Sequence, residues 1–174
     1  SEFSNANKKV VGNYEIEAKN ITETSDNFSN NIRVLGNLTI TKKLLSFNSD
    51  TIIKEYDGTT AFSEVNLNTL NEETNDIISV KGKGFFNQKD VGSPISYTLN
   101  YFELSDLDSN NYYIDEVLGY VGTNGEITKA PLDVTANSLV KTFDGIPFTG
   151  GNGVTYEGFK NGETSAFLSG TLSY

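Results

Sequence analysis

Short runs in which apolar and polar residues alternate at every second position dominate this chain. Gly36-Asn37-Leu38-Thr39-Ile40-Thr41 is one such run. Ser96-Tyr97-Thr98-Leu99-Asn100-Tyr101 is another, with Tyr97, Leu99 and Tyr101 on one face. Tyr112-Tyr113-Ile114, Asp133-Val134-Thr135 and Gly170-Thr171-Leu172-Ser173-Tyr174 follow the same period. Alternation of this kind suits a half-buried strand, because successive side chains of a strand point to opposite faces. Asn-Gly, Asp-Gly and Asn-Asn steps punctuate the runs, and Asn124-Gly125 predicts a hairpin turn. No segment keeps a helical period for long. Only Leu67–Asn75 and Phe159–Phe167 have room for a helix of one or two turns. The pattern predicts a mainly β protein built from short strands.

The strands fall into a repeat. Lys54-Glu55-Tyr56-Asp57-Gly58 matches Lys141-Thr142-Phe143-Asp144-Gly145 at an offset of 87 residues, and Ile40-Thr41-Lys42 matches Ile127-Thr128-Lys129 at the same offset. Asn13-Tyr14 aligns with Asn100-Tyr101 in that frame, and Gly82 and Phe86 align with Gly170 and Tyr174 one residue further on. A period this long marks a row of small domains rather than a solenoid. A module begins after each Ile-Thr-Lys and ends at the next. On that frame residues 44–130 form one complete module, 1–43 the second half of another and 131–174 the first half of a third. The connections Lys42-Lys43 and Lys129-Ala130-Pro131 are too short to be floppy, and Pro131 stiffens the second.

Composition narrows the chemistry. The 174 residues suit one ordinary domain or two small ones. No Cys, His, Met or Trp is present, so there is no disulfide, no thiolate and no imidazole for acid–base work or metal binding. The net charge of -10 repels phosphate backbones and anionic headgroups, which argues against nucleic-acid and membrane partners. No apolar run is long enough to span a bilayer. Ser1–Lys9 is polar with no apolar signal segment behind it, so an export signal is expected elsewhere in a longer polypeptide.

The candidate sites each have a plain structural reading beside them. Tyr56-Asp57-Gly58 and Phe143-Asp144-Gly145 suit tight turns, because Gly accepts a positive φ and Asp bonds the local backbone. Asp106, Asp108 and Asn110 have the first three spacings of a calcium loop, but Asn111 stands where such a loop needs Gly and Val117 where it needs Glu. Glu72-Glu73 and Asp115-Glu116 lack a partner motif and read as solvated surface. Tyr97, Tyr101, Tyr112, Tyr113 and Tyr120 offer either core or a sugar-stacking platform, and core is the favoured reading. Three sequons, at Asn20, Asn27 and Asn37, are expected by chance in a chain so rich in Asn, Ser and Thr.

Lys54-Glu55-Tyr56-Asp57-Gly58-Thr59-Thr60-Ala61 resembles the signature of the YDG domain, and Gly84-Phe85-Phe86-Asn87-Gln88-Lys89-Asp90-Val91-Gly92 and Gly125-Glu126-Ile127-Thr128-Lys129-Ala130 resemble its second motif and closing strand. Residues 148–174 and 11–41 are similar to the first and second halves of the related MBG modules. Asn87-Gln88-Lys89-Asp90 softens the usual Asp-Lys-Asn run. The resemblance implies stalk repeats of filamentous-haemagglutinin-like adhesins, with no catalytic residues to carry over.

The expectation is therefore a mainly β chain of tandem sandwich-like modules in an extended array, with β-grasp-like modules carrying one short helix as the alternative. It is expected to be a non-catalytic spacer of an extracellular or cell-surface bacterial adhesin. A carbohydrate- or calcium-binding module of an exoprotein is the alternative. No cofactor is expected, and calcium at Asp106, Asp108 and Asn110 is the one metal candidate. The expected partners are neighbouring copies or adjacent repeats, head to tail through 1–43 and 131–174, and a host surface or biofilm matrix.

Overall fold

The structure, a computed structural model, describes residues 2–17, 26–27, 36–117 and 119–170. The strand expected over 170–174 and the sequons at Asn20 and Asn27 lie wholly or partly outside those residues. The described chain is mainly β. Strands β1 (Gly12–Ile16) and β2 (Gly36–Ile40) form an antiparallel pair. The next elements are β3 (Lys43–Leu44), β4 (Phe47–Asn48), β5 (Ile53–Glu55), β6 (Ala61–Thr69), β7 (Ser79–Phe86), β8 (Gly92–Ser105), β9 (Tyr112–Tyr113) and β10 (Tyr120–Thr128). Last come β11 (Asp133–Ala136) and β12 (Val154–Glu157), a second antiparallel pair. One sheet has six strands in the order β4-β6-β7-β8-β10-β5, and its last pairing, β10 with β5, is parallel. Among the described residues the helical pieces are two single 3-10 turns, Ser109–Asn111 and Ser165–Phe167.

Contacts divide the chain into two compact units. One draws on the chain up to Asp50, Glu64–Lys83 and Leu99–Tyr120; the other on Thr51–Ser63, Gly84–Thr98 and the chain from Val121 onward. The second unit is built on aromatic rings. Phe62 stacks 5.0 Å from Phe86, and Tyr97 meets both edge-on at 6.0 and 6.2 Å. Ile52, Ile95 and Ile127 are buried in the same unit. These rings fit because the strand beside them carries glycines. A Cβ on Gly122 would fall 2.0 Å from the Tyr97 ring, and one on Gly125 2.3 Å from the Phe86 ring. Asn124-Gly125 therefore makes no hairpin turn, contrary to the sequence expectation. It lies inside β10, with Asn124 Oδ1 accepting from the Tyr97 hydroxyl at 2.9 Å.

In the first unit Phe47 packs between Phe102 and Tyr120, at 5.1 and 5.2 Å, and Leu45, Leu67, Val80, Leu99 and Tyr112 are buried. The helix expected over Leu67–Asn75 does not form. Leu67 lies inside β6 as a core residue, and Asn71 after the strand binds backbone on both sides, accepting from Ser46 N–H at 2.7 Å and donating to Leu44 O at 3.0 Å. Such side-chain bonds compete with helix. Phe159–Phe167 holds only its 3-10 end.

The expected alternation slips by one residue inside three strands. Buried positions run Ile95, Tyr97, Leu99 and then Phe102, so Tyr101 is half exposed. The same three-residue step separates Phe62 from Val65 in β6 and Gly122 from Gly125 in β10. Because the side-chain period of a strand is two, one extra residue moves every later side chain to the other face. β7 keeps the alternation, with Val80 and Phe86 buried and Phe85 exposed.

The burial pattern sets two expectations for urea denaturation. Phe102→Ala should cost about 3–5 kcal/mol, and Tyr101→Ala under about 1; equal costs would contradict the slip. Gly122→Ala should cost about 1–3 kcal/mol by overpacking, and an unchanged midpoint would mean that the Tyr97 ring has room to move.

Candidate functional site

The turn after β5 is the feature the sequence marks most clearly, and the structure gives it twice. In the first copy Lys54 Nζ lies 2.7 Å from Asp57 Oδ1 and donates to Thr59 O at 2.9 Å, while Thr59 N–H donates to Asp57 Oδ1 at 2.8 Å. In the second, Lys141 Nζ lies 2.5 Å from Asp144 Oδ1 and donates to Ile146 O at 2.6 Å, while Ile146 N–H donates to Asp144 Oδ1 at 3.0 Å. Gly58 and Gly145 follow at φ +79° and +74°, a region that favours glycine. Each motif residue thus has a bonding role within its own turn: lysine and aspartate brace the backbone, and glycine reverses it.

Their surroundings differ. The first turn is packed against the segment after β12. The Tyr56 hydroxyl donates to Glu163 Oε1 at 2.5 Å, Asn161 Nδ2 donates to Gly58 O at 3.3 Å, and Lys160 lies 3.4 Å from Glu55. Around these contacts Pro131, Leu132, Phe159 and Leu168 line a shallow cleft. In the second copy Phe143, the counterpart of Tyr56, is 94% exposed.

A corresponding junction lies in the first unit, where the chain before β1 meets the loops after β6 and β8. Asn5 N–H donates to Asp108 Oδ1 at 3.1 Å, Ala6 N–H to Asp76 Oδ1 at 3.0 Å and Val11 N–H to Asn111 Oδ1 at 3.0 Å. Glu73 is paired with both Lys8 and Lys43. The sequence singled out none of Asp76, Asn111, Glu163 or Asn161. Polar loop residues carry no periodic signal, and their partners lie far away in the chain.

This junction also holds one of the calcium candidates. Asp108 is buried, and its second oxygen accepts from Ile77 N–H at 2.9 Å. Asp106 accepts from the Ser79 hydroxyl, and Asn110 is exposed. Backbone donors thus engage both Asp108 oxygens. Among the described residues no group of three or more acidic, His or Cys side chains is placed to hold a metal ion. The tyrosines divide as well. Tyr97 and Tyr112 are core, Tyr120 packs on Phe47, and Tyr101 and Tyr113 are about half exposed.

The charges answer to these bonds. Burial alone would raise the Asp57 carboxyl, but Lys54 and the Thr59 N–H and hydroxyl outweigh it and hold it at about 2. Hydrogen bonds from Lys8 and Lys43 hold Glu73 at about 2. Lys141 and the Ile146 N–H lower Asp144. The bond to Glu163 raises Tyr56 to about 12, and burial raises Tyr112 to about 12, so both stay protonated near neutrality.

Each lowered carboxyl contributes stability that is complete above its unfolded value and lost as pH falls through its folded one. The melting temperature should therefore drop between about pH 4 and pH 2. Asp57→Ala should cost about 0.5–1 kcal/mol at pH 7, the low end for a lost turn bond because the carboxylate is half solvated. The gap to the parent should vanish near pH 2 in calorimetric melts, and a gap that persists there would remove the carboxylate from the explanation.

No curated protein and no solved structure matches the chain. The model of the YDG domain family matches residues 41–118, from the approach to β3 up to the residues before β10. A YDG domain is thus found at residues 41–118, a range that includes the Tyr56-Asp57-Gly58 turn.

Proposed function

We propose that this chain is a non-catalytic spacer segment from the stalk of a bacterial cell-surface or secreted adhesin, and that its flanks are halves of related MBG-type modules. The observation that carries this reading is the duplicated turn. Lys54-Asp57-Thr59 and Lys141-Asp144-Ile146 make the same set of bonds 87 residues apart. Two copies of one turn in successive modules support a tandem architecture, and the YDG match supports the family to which such arrays belong.

The electrostatics support the non-catalytic part. The carboxylates with lowered pKa values are those in ion pairs with lysines or in bonds to backbone N–H groups. A general acid or base needs a pKa near its working pH, and these carboxylates have been moved away from it. The junctions support the spacer part. Each binds a flanking segment to loops of the sheet with several polar contacts, and Pro131 restricts the connection to β11.

Pulling single molecules by their ends tests the mechanical role. A stalk module should resist and then unfold in one step. The length gained should be close to that of an extended chain of residues 44–129, about 30 nm at about 3.5 Å per residue. A featureless extension would sink the spacer reading. Labelling intact cells of the source organism with an antibody against the chain tests its place: surface staining is expected, and staining only after lysis would contradict it.

A further inference from the structure

The repeat permits a strand-by-strand comparison. In the sheet β4 pairs with β6 through Phe47↔Thr69 and Asn48↔Asn68. Shifted by 87 residues, these become Val134↔Tyr156 and Thr135↔Thr155, which are the observed partners in β11 and β12. At the other end, β1 and β2 occupy the positions of 99–103 in β8 and 123–127 in β10, two strands that are neighbours in the sheet. The N-terminal pair therefore copies β8-β10, and the C-terminal pair copies β4-β6.

Among the described residues the pairing of β5 with β10 is one that has no copy. β5 is a strand because Ile53–Glu55 pairs in parallel with Glu126–Thr128 of β10. Its counterpart, 140–142, follows the same pattern into the same turn, yet it is not a strand. Its apolar residues stand out of place. Ile52 is 4% exposed, and its counterpart Leu139 is 53% exposed. Beside it Leu139, Lys141, Phe148 and Asn152 line a hollow of about 360 Å³. β2, for its part, pairs only with β1 among the described residues, whereas β10 pairs on both edges.

We infer that the edge at 140–142 is a docking site for β2 of a second copy of this chain, which adds to it in parallel with Thr39 opposite Val140, Ile40 opposite Lys141 and Thr41 opposite Thr142. The occupant follows from the repeat. Residues 39–41 are the chain's own counterpart of Glu126–Thr128, and 140–142 the counterpart of their partner. The ladder should copy the observed one, in which Glu126 N–H donates to Ile52 O at 2.8 Å and Tyr56 N–H to Thr128 O at 2.9 Å. Thr39 N–H then donates to Leu139 O, and Phe143 N–H to Thr41 O. Ile40 takes the place of Ile127, which is 1% exposed in the complete sheet, and enters the hollow beside Leu139. Because the two surfaces differ, the contact is head to tail and repeats from copy to copy. The inference rests on the modular reading proposed above and adds the partner and the register.

The absence of cysteine makes a disulfide test clean. Carry Thr39→Cys and Val140→Cys together on the full chain and oxidise it gently. A ladder of species at multiples of 19.0 kDa is expected on a non-reducing gel. Adding Leu139→Asp to the pair should abolish the ladder while leaving the thermal melt of the six-stranded sheet in place. Thr39→Cys with Val117→Cys, at an equally exposed position, should give none. A cross-linked monomer would mean that the chain closes on itself, and an equal ladder from the control pair would mean random collision. Either result overturns the proposal, as does a chain that stays monomeric and uncross-linked at high concentration. A monomer that still unfolds under force in one long step would leave the spacer role standing.

Discussion

Glu126–Thr128 hydrogen-bonds in parallel to Ile53–Glu55, and a parallel pair can be made only through a long connection. Here that connection is nearly the whole module. The first and last parts of its sequence become adjacent strands, and β8, β7 and β6 follow in order on the other side of β10. The pairing brings Ile52 and Ile127 into the same buried layer and fixes the direction in which the chain leaves β5, which sets the place of the Tyr56-Asp57-Gly58 turn. The second copy provides a natural control. There the turn keeps its bonds without the partner strand, whereas the segment before it does not become a strand. The turn is a local product of Lys, Asp and Gly; the strand is a product of long-range pairing.

That distinction explains what could be read from the sequence. The 87-residue frame was legible because turns and short alternating runs are local, and the structure keeps the frame down to the register of β4-β6 and β11-β12. Tyr97, Leu99 and Tyr112 were legible as core from their alternating runs. Phe102, Phe62 and Leu67 were not. Once the inward phase slips by one residue, a strict period of two assigns later residues to the wrong face. Asn124-Gly125 misled for a related reason. Its glycine is needed for the Phe86 ring above it, and a turn propensity of the dipeptide cannot reveal a ring contributed by another strand. The junction residues were hidden altogether, since Asp76, Asn111, Asn161 and Glu163 act through partners that only the fold brings near.

The acidic composition has two parts. A few carboxylates are bound in place: Asp108 by two backbone N–H groups, Glu73 by two lysines, and Asp57 and Asp144 by the lysine three residues before them. Others, such as Asp90 and Asp50, are exposed and keep the surface negative. Ion pairs so exposed contribute little stability singly. Their value here is geometric, because each one fixes a loop that meets the next segment. Lys54 illustrates the point. Its ammonium bonds Thr59 O, Ala61 O and Asp57 at once, so a single side chain ties β5, the turn and the start of β6.

An open sheet edge with exposed apolar residues invites any extended chain to pair with it. The segment at 140–142 would have both properties once it forms a strand, with Val140 and Phe143 each 94% exposed. It also carries features that restrict the partner. Lys141 lies in the middle of the segment and is held by Asp144, so the centre of the edge is charged. Pro147 stands just past the turn, where it removes a donor that a longer strand would need. What remains is a three-residue opening beside an apolar hollow. A strand that fits must place a β-branched residue at its centre and need only a short ladder. Thr39-Ile40-Thr41 meets both conditions, as Glu126-Ile127-Thr128 does in the complete sheet. The same residues that keep the edge from pairing at random are thus those that make it selective.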